Sequence, residues 1–484
     1  MGPILEGLQT DGLVNVTSSA LLTDLYQLTM AAGYWKSGAL DREAVFHLYF
    51  RSNPFASGFA IAGGLAPAVD YLRDFRFTDD DLAYLAGTGF FERDFLDSLR
   101  TLRLTCDVDA IPEGSVVFAN EPLVRVRGSL LQAQLVETAL LNALNFSTLI
   151  ATKAARIVHA ARGRNVLEFG LRRAQGPDGA LTASRAAHLG GCTGTSNVLA
   201  GKRFGIPVAG THAHSWVMAF DDEATAFAAY ADAMPNNVLL LVDTYDTLDG
   251  VRHAIELAAR GYKLLGIRLD SGDLAWLSIE ARRMLDEAGL RDARIVASND
   301  LDEELIASLV DEQDAKIDVF GVGTKLVTAY SQPALGGVYK LGAIREARGA
   351  WQPRIKVSEQ SVKTTIPGML NVRRFSSDGV FRGDMLWDEL DGEPASTTIV
   401  DPADVTRSRS FENTESRELL VPIFRGGELV YDVPSLAESR DLARRELESL
   451  DPAIRRLKNP HRYPVGLETR LSERRTTMIC DARG

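Results

Sequence analysis

The strongest constraint on the fold is a regular alternation of short apolar runs and helical stretches between residues 165 and 324. The apolar runs are "NVLEFG", "IPVAGT", "NVLLLVDT", "YKLLGIRLD", "ARIVASND" and "IDVFGVGT", and the stretches between them include "TLDGVRHAIELAARG" and "LAWLSIEARRMLDEAG". Continuous apolar runs separated by amphipathic helices are typical of parallel strands buried on both faces of a sheet. With about six such units in succession we predict an irregular α/β barrel, and an open doubly wound sheet is the alternative.

The regions on either side lack this rhythm. Before it, a helix in "LLTDLYQLTMAAGYW", a strand in "AVFHLYF" and short β pieces between 107 and 128 precede a long apolar helix at roughly 130–162. After it, "SDGVFRGDML" and "ELVYDV" read as strands and "SLAESRDLARRELESL" as a helix. We therefore predict an N-terminal α/β domain over 1–130, an α/β barrel that carries the site over 131–340, and a C-terminal α/β region over 341–484.

Composition excludes several classes of partner. The 484 residues carry 53 basic and 65 acidic side chains, a net charge of -12, so we expect no long-range attraction to nucleic acid or anionic lipid. The three cysteines form no CxxC motif, which indicates free thiols in a reducing compartment. No secretory signal and no uncharged apolar run of roughly 18 residues is present, so we expect a cytoplasmic protein with no membrane partner.

Polar side chains follow the predicted strands at the points where the strands end. Ligands bind at the carboxyl ends of parallel strands, and a polar ring on an apolar scaffold is costly to bury without a purpose. A single aspartate after a strand is often only a helix cap, and we read Asp273 or Asp300 taken alone in that way. The combination predicts a common pocket formed by Glu168, Thr211, His212, His214, Asp243, Arg268, Asp270, Ser271, Asp273, Ser298, Asn299, Asp300, Gly321, Gly323 and Thr324.

Three motifs in this ring suggest anion binding. "GVGT" offers backbone N–H groups and a hydroxyl to a phosphate, although a glycine pair is often only a tight turn. "RLDSGD" places a guanidinium beside carboxylates and a hydroxyl, a set that could hold an anion, sugar hydroxyls and a metal; an internal Arg–Asp pair is the alternative. Arg172 and Arg173 could neutralise a diphosphate, or could be a solvated basic pair.

The two histidines of "GTHAHSW" do not predict a metal site. An HxH pair at a barrel strand end begins many hydrolase sites, but these sites need further histidines at other strand ends. The remaining five lie in helical patterns or flanking regions: His47, His159, His188, His253 and His461. This leaves His214 free for nucleophilic or acid–base work, and we treat His212 as its neighbour.

Taken together, "LLTDLYQLTMAAGYW", "EFGLRRAQGPDG", "GTHAHSW", "LVDTYDT", "GIRLDSGDL", "ASNDLDEE", "GVGT" and "PALGGVYKL" resemble the nicotinate phosphoribosyltransferase family in order and spacing, from Leu21 to "PSLAESRDLARREL". The resemblance implies a type II phosphoribosyltransferase fold, an irregular α/β barrel beside a smaller α/β domain, and a homodimer with sites at the subunit interface. It also implies an ATP-coupled transfer of phosphoribosyl from 5-phosphoribosyl 1-diphosphate to nicotinate. The products are nicotinate mononucleotide and diphosphate, in the first step of NAD synthesis from nicotinic acid.

The resemblance also assigns residues. It implies that ATP phosphorylates His214, that Thr211 and Arg268 bind nicotinate, and that Thr324 binds phosphoribosyl diphosphate. It further implies that Tyr26 reaches the nicotinate from the neighbouring subunit. From the chemistry we add Asp270 and Asp273 beside the ribose, with a Mg²⁺ near them, and Arg172 and Gly323 at the diphosphate.

Three alternatives stay open. A nicotinamide-specific enzyme of this type would carry an acid to meet the carboxamide, whereas the stretch around Thr211 offers histidines. A quinolinate-specific enzyme would call for a more basic site. A non-catalytic metabolite sensor on the same barrel would be expected to have lost strand-end groups, and none of them is missing.

Overall fold

The computed structural model describes residues 20–39, 42–347, 349–360 and 363–483. The helices are α1 (Leu25–Lys36), α2 (Leu65–Arg73), α3 (Asp79–Gly87), α4 (Arg93–Arg100), α5 (Leu130–Leu135), α6 (Glu137–Ala160), α7 (Gly176–Leu189), α8 (Val198–Phe204), α9 (His214–Met218), α10 (Glu223–Ala233), α11 (Thr247–Ala259), α12 (Leu274–Glu287), α13 (Glu303–Asp311), α14 (Thr324–Val327), α15 (Leu436–Glu448) and α16 (Thr469–Arg483). The strands are β1 (Glu43–Phe50), β2 (Ala60–Ile61), β3 (Asp107–Ala110), β4 (Val116–Val117), β5 (Val124–Ser129), β6 (Asn165–Glu168), β7 (Gly194–Thr195), β8 (Leu239–Leu241), β9 (Gly266–Leu269), β10 (Arg294–Asn299), β11 (Val319–Val322), β12 (Gly337–Arg345), β13 (Gln352–Pro353), β14 (Leu370–Ser377), β15 (Val380–Asp388), β16 (Thr398–Val400), β17 (Ser408–Ser410), β18 (Glu415–Glu418), β19 (Val421–Arg425), β20 (Glu428–Leu429) and β21 (Val465–Glu468).

The predicted parallel sheet is present. Six strands pair in the order β7-β6-β11-β10-β9-β8, all parallel, and helices α11, α12 and α13 connect successive strands. Both faces are covered, as the complete burial of β11 shows. The predicted strand in "IPVAGT" is reduced to one bridge between Val208 and Thr195, next to Pro207, which has no amide hydrogen for a ladder.

Residues 206–212, here called the closing segment, lie between the two edges of this sheet. On the β7 side the Thr195 N–H donates to the Pro207 carbonyl at 3.0 Å, and the Ala209 N–H donates to the Thr195 carbonyl at 3.0 Å. On the β8 side the Leu241 N–H donates to His212 Nε2 at 3.1 Å. These contacts favour the predicted barrel over an open sheet, and closure by a continuous backbone ladder stays a prediction.

A seven-stranded antiparallel sheet packs beside the parallel one. Its order is β13-β12-β1-β5-β3-β19-β20, so strands from before residue 130 pair with strands from after residue 336. A third, mixed sheet in the order β17-β16-β21-β15-β14-β18 comes from residues 370–468. Strand pairing therefore crosses the predicted domain boundaries at 130 and 340, and those boundaries stay predictions.

The long apolar helix joins these layers. It begins at Leu130 and is interrupted at Val136, which separates α5 from α6. Because both faces of α6 are covered, even its charged Lys153 and Arg156 are buried, and both pair with Glu303 of α13 at 2.6 and 3.0 Å. The helix thus links the antiparallel sheet to the helical layer of the parallel sheet.

All three cysteines are free thiols, as predicted, with Cys106 and Cys192 buried and Cys480 exposed. Burial, and then the nearby Asp107 and Glu43 carboxylates, raise the pKa of Cys106 to about 12. This thiol stays protonated and unreactive at neutral pH. In the described part of the chain, no helix has both the length and the apolar character needed to cross a membrane.

Candidate active site

The carboxyl ends of the parallel strands open into one cavity of about 420 Å³, here called the strand-end pocket. It is lined by residues that lie in or just after β6, β7, β9, β10 and β11 and by residues near the end of the closing segment. Six residues with predicted site roles lie on its wall: Arg172, Thr211, Arg268, Asp270, Gly323 and Thr324. The topology of a parallel sheet therefore brings together residues that are up to 152 positions apart in sequence.

Arg268 is mostly buried in the pocket wall, with 14% of its side chain exposed. Its Nε donates to Ser298 Oγ at 2.7 Å, its Nη1 to Thr211 Oγ1 at 3.2 Å and its Nη2 to an oxygen of Asp270 at 2.8 Å. The guanidinium carbon lies 5.6 Å from the centre of the Phe169 ring. The internal Arg–Asp pair considered from the sequence is thus present, and it lies on the pocket wall.

Asp243 holds the segment that contains Asp270 in place, and only 1% of the Asp243 side chain is exposed. Its Oδ2 accepts hydrogen bonds from the Asp270 N–H at 2.9 Å and from Ser271 Oγ at 2.6 Å. Its Oδ1 is buried and has no hydrogen-bond partner in the described part of the protein. Leaving a buried carboxylate oxygen without a hydrogen bond costs free energy. Asp243 was predicted at a strand end, with no role assigned to it from the sequence.

His214 is the first residue of α9, and 40% of its side chain is exposed. Its Nδ1 lies 3.2 Å from Thr244 Oγ1, while its Nε2 lies 3.9 Å from Asp243 Oδ1 and 3.9 Å from Asp270 Oδ2. Since the other oxygen of Asp270 is bonded to Arg268, one carboxylate connects the imidazole to the guanidinium. His214 therefore adjoins the strand-end pocket and presents Nε2 to two acids.

His212 has a different environment from His214. Its ring packs edge-on against Tyr230, with centroids 4.8 Å apart, and its Nε2 accepts the Leu241 N–H. Burial lowers the pKa of His212, so the ring is neutral at pH 7. An acceptor at Nε2 leaves the proton on Nδ1, which lies 3.3 Å from the Ala213 carbonyl oxygen. Both ring nitrogens of His212 are thus engaged with neighbouring backbone groups.

The part of the pocket lining that follows β6 carries positive charge and packs closely against β11. Arg172 and Arg173 are exposed in a short 3-10 turn after β6, and neither forms an ion pair within the described ranges. Glu168 anchors the turn by accepting the Gly170 N–H, Ser184 Oγ and Thr195 Oγ1. Strand β11 and the Phe169 side chain approach so closely that a Cβ at Gly321 would lie 2.6 Å from the Phe169 ring. Glycine is required there by this contact.

Asn299 ends β10 with φ at 148°, a backbone conformation that residues other than glycine rarely adopt. Its side-chain oxygen accepts the Asp300 N–H at 2.8 Å. Such strain costs about 1–3 kcal/mol and concentrates at functional sites. No feature of the sequence identified this strain, although asparagine tolerates unusual backbone angles better than most residues.

Three predicted site residues are not on the pocket wall: His214, which adjoins it, and Asp273 and Tyr26. Asp273 caps α12, where its carboxylate accepts the Trp276 N–H at 3.0 Å. Tyr26 lies on α1 with 48% of the residue exposed. Among the described residues, the aromatic ring that lines the pocket is Phe169, which was not singled out from the sequence. Its position directly after Glu168 at the end of an apolar run was the available signal.

Comparison with known proteins gives consistent matches along the chain. The N-terminal domain of nicotinate phosphoribosyltransferase (NAPRTase) matches residues 21–145, the nicotinate phosphoribosyltransferase (NAPRTase) family matches 165–378, and the C-terminal domain matches 371–475. The nicotinate phosphoribosyltransferase of Bacillus subtilis is 46% identical over 458 residues, 93% of each chain. The Homo sapiens protein of the same name is 38% identical over 530 residues, 96% of this chain and 97% of its own.

Two solved structures resemble the fold. The crystal structure of human nicotinic acid phosphoribosyltransferase superposes with a TM-score of 0.81 at 36% identity, covering 94% of this chain and 99% of its own. The nicotinate-nucleotide pyrophosphorylase from Pyrococcus furiosus superposes with a TM-score of 0.70 at 22% identity, covering 93% and 99%. The second likeness is evidence of a shared fold only.

Proposed function

This chain belongs to the nicotinate phosphoribosyltransferase family, and on that premise we propose how its residues divide the reaction between them. The enzyme transfers phosphoribosyl to nicotinate, the first step of NAD synthesis from nicotinate. We propose 5-phosphoribosyl 1-diphosphate as the donor, bound with nicotinate in the strand-end pocket. The observation that carries the proposal is the continuous contact from His214 through Asp270 to Arg268 at that pocket.

Nicotinate is a flat ring with a carboxylate, and we propose that Arg268 and Thr211 hold this carboxylate. Their contact at 3.2 Å places a guanidinium and a hydroxyl on the same patch of wall. A bidentate Arg–carboxylate pair fixes orientation as well as charge. The Phe169 side chain can pack against the face of the nicotinate ring, and Tyr26 would cover that ring from the neighbouring subunit.

We propose that the sugar diphosphate occupies the rest of the pocket. Gly323 and Thr324 offer backbone N–H groups and a hydroxyl to the phosphates, and Arg172 neutralises the leaving diphosphate. As the pyridine nitrogen attacks C1 and the diphosphate departs, positive charge builds on the ribosyl ring, and the Asp270 carboxylate stabilises it. Asp273 would act from the end of the same loop, although its helix-capping bond competes with this role.

The pocket also fits a diphosphate-bound Mg²⁺. Mg²⁺ binds to proteins through one or two carboxylates together with substrate phosphates. Asp300 lines the same pocket as Asp270, and its carboxylate has no bond within the described part of the chain. We propose that these two residues hold the ion, which would add positive charge at the diphosphate.

We propose that ATP phosphorylates His214 at Nε2. With Nδ1–H donating to Thr244 Oγ1, the Nε2 lone pair is free to attack the γ-phosphorus, and ADP leaves. The Asp243 and Asp270 carboxylates stabilise the positive ring that results. The new phosphoryl group then repels the Asp270 carboxylate and weakens its bond to Arg268, which couples ATP use to the substrate pocket.

We propose a homodimer in the cytoplasm with sites at the subunit interface, and no nucleic acid or membrane as partner. Large apolar side chains are exposed on the loops and short helices around the strand ends, among them Val198, Met218, Tyr245 and Tyr330. Apolar surface of this kind is typical of a protein interface. The three free thiols suit a reducing compartment.

The testing experiment is incubation with nicotinate, phosphoribosyl diphosphate, Mg²⁺ and ATP, followed by identification of the products. We expect nicotinate mononucleotide, diphosphate, ADP and phosphate, with nicotinamide and quinolinate left unconsumed. Preferential turnover of nicotinamide or quinolinate would overturn the substrate assignment. Binding without turnover would support the sensor alternative instead.

A further inference from the structure

A second cavity, of about 540 Å³, lies where α6 and α7 end against α15. It is here called the helix-end cavity, and it shares no lining residue with the strand-end pocket. Strands β6 and β7 begin directly after α6 and α7 end, so this cavity lies near the opposite edge of the parallel sheet. The four residues of β6 rise roughly 3.3 Å each, which separates the two edges by about 13 Å. The cavity is therefore distinct from the proposed catalytic site.

The walls of the helix-end cavity are of two kinds. Its floor is apolar and includes the buried residues Phe59, Leu189 and Ala443. Its rim carries two acidic residues, Asp441 and Glu448. It also carries four arginines: Arg162, Arg440, Arg444 and Arg455. A basic excess in a chain with a net charge of -12 is a local feature that its overall charge does not explain.

Two of the four arginines are neutralised within the protein. Arg162 pairs with Asp311 at 2.9 Å, and Arg444 pairs with Glu448 at 2.9 Å. The charges of Arg162 and Arg444 are therefore already paired and do not require a ligand. The other two guanidinium groups are not paired in this way.

Arg440 and Arg455 have no carboxylate partner within the described residues. Arg440 donates from Nη2 to the Gly191 carbonyl at 3.0 Å, which satisfies one carbonyl group just past the end of α7. No such helix-end bond involves Arg455, and the Nε atoms of both side chains are buried without a hydrogen-bond partner. A guanidinium that is partly buried without a carboxylate partner is costly, and an anion in the cavity would offset the unpaired charge of both side chains.

The neighbouring histidines respond to this positive charge. Burial first, and then Arg162, Arg455 and Arg156, lower the pKa of His159, which lines the cavity. Burial, and then Arg440, lower the pKa of His188 to about 4. Both imidazoles are therefore neutral at pH 7 and do not compete with the arginines for an anion.

We propose that the helix-end cavity binds a small phosphorylated ligand, with its phosphate on Arg440 and Arg455 and a ring-sized apolar body on the floor. Guanidinium groups bind phosphate through strong charge-assisted hydrogen bonds. The volume lies within the roughly 300–1,000 Å³ of pockets that enclose small organic ligands. This ligand site is independent of the reaction proposed above.

Calorimetric titration of the full chain with AMP tests the proposal, with adenosine and inorganic phosphate as comparison probes. We expect AMP to bind about tenfold or more tightly than either probe, because only AMP has both the phosphate and the ring. Arg455→Met and Arg440→Met should each weaken AMP binding about tenfold or more while phosphoribosyl transfer is retained. The matched controls Arg456→Met and Arg445→Met, exposed neighbours outside the cavity, should bind AMP normally.

Hydrogen exchange on the unmodified protein provides a test that does not depend on variant folding. AMP should slow amide exchange in residues 188–191 and 440–448. The proposal is overturned if AMP does not bind, or if inorganic phosphate binds equally well. It is also overturned if AMP protects only the strand-end segments 268–273 and 321–324.

Discussion

At the scale of single residues, the chemistry depends on how one carboxylate is shared. Asp270 accepts from Arg268 with one oxygen and faces His214 Nε2 with the other at 3.9 Å. Asp243 holds the backbone of Asp270 and presents an unpaired oxygen to the same imidazole. Any change of charge on His214 is therefore transmitted to Arg268 through a single side chain.

Replacing His214 tests whether this connection from His214 through Asp270 to Arg268 couples ATP hydrolysis to the transfer. We expect His214→Ala to abolish ATP hydrolysis while leaving a slower, ATP-independent transfer, because the substrate pocket itself is intact. The measurement is ADP released per nicotinate mononucleotide formed. His212→Gln is the control, since it keeps an acceptor for Leu241 and should retain the wild-type ratio. An unchanged ratio in His214→Ala would remove this histidine from the coupling.

Replacing Arg268 tests the assignment of the nicotinate carboxylate. Arg268→Ala should weaken nicotinate binding by about 1.5–3 kcal/mol through loss of a charge-assisted hydrogen bond. Steady-state kinetics should show this as a raised KM for nicotinate, with a smaller change in KM for phosphoribosyl diphosphate. Arg283→Ala on the exposed face of α12 is a control expected to change neither value. Equal effects on both substrates would contradict a specific role at the carboxylate.

Sequence reasoning was strongest for residues whose position follows from a strand end. Arg268, Asp270 and Thr211 were placed together because parallel strands end at one edge, and the structure brings them together. For Asp273 the sequence did not distinguish a helix cap from a ligand-binding residue, because an aspartate after a strand suits both roles. Asp243 and Phe169 act through neighbours from distant segments, and no local pattern shows such contacts.

At the scale of elements, helix boundaries followed the sequence closely. The predicted stretches 247–261 and 274–289 correspond to α11, which ends at Ala259, and α12, which ends at Glu287, each preceded by a capping aspartate. The closing segment was harder to predict, because its contacts combine backbone bonds on one side with side-chain bonds on the other. A segment held by such mixed contacts does not show the apolar–polar alternation by which strands are recognised in a sequence.

Replacing Asp302 tests how a helix cap and an ion pair together stabilise helix α13. Its carboxylate caps α13 and pairs with Lys325 at 2.7 Å. Burial opposes ionisation, but the bonds from the Leu305 N–H and Lys325 outweigh it, so the pKa of Asp302 is lowered. Asp302→Ala should destabilise the protein by about 0.5–2 kcal/mol at pH 7, measured by urea unfolding.

The pH dependence of this effect follows from the sign of the pKa shift. A lowered pKa means that the stabilisation is present above the unfolded-state value and is lost as pH falls through the folded-state value. The difference between wild type and Asp302→Ala should therefore shrink in acid. Asp302→Asn, which keeps a capping oxygen without the charge, should lie between them at pH 7. A difference that is constant down to pH 3 would contradict the charge contribution.

At the scale of the whole molecule, the sequence predicted a parallel α/β unit but not how the flanking regions join it. The antiparallel sheet combines β1, β3 and β5 with β12 and β19, because strands far apart in sequence complete each other's ladders. Long-range pairing of this kind leaves no local signal beyond strand propensity.

Subunit complementation tests the proposed dimer. If Tyr26 acts in the neighbouring subunit's pocket, mixed dimers of Tyr26→Ala and Arg268→Ala subunits contain one intact site. An equimolar mixture refolded together should recover about a quarter of wild-type sites, since half of the dimers are mixed. Activity is measured at subsaturating nicotinate, with each variant refolded alone as the control. No recovery above the mean of the two variants would place Tyr26 outside the partner's site.

The most direct measurement is mapping of the phosphoryl group after brief incubation with ATP, by mass spectrometry under conditions that preserve acid-labile phosphohistidine. We predict one phosphate on the peptide that contains His214, lost on addition of nicotinate and phosphoribosyl diphosphate and missing in His214→Ala. Phosphate on another residue, or ATP-coupled turnover with an unmodified His214, would contradict the account.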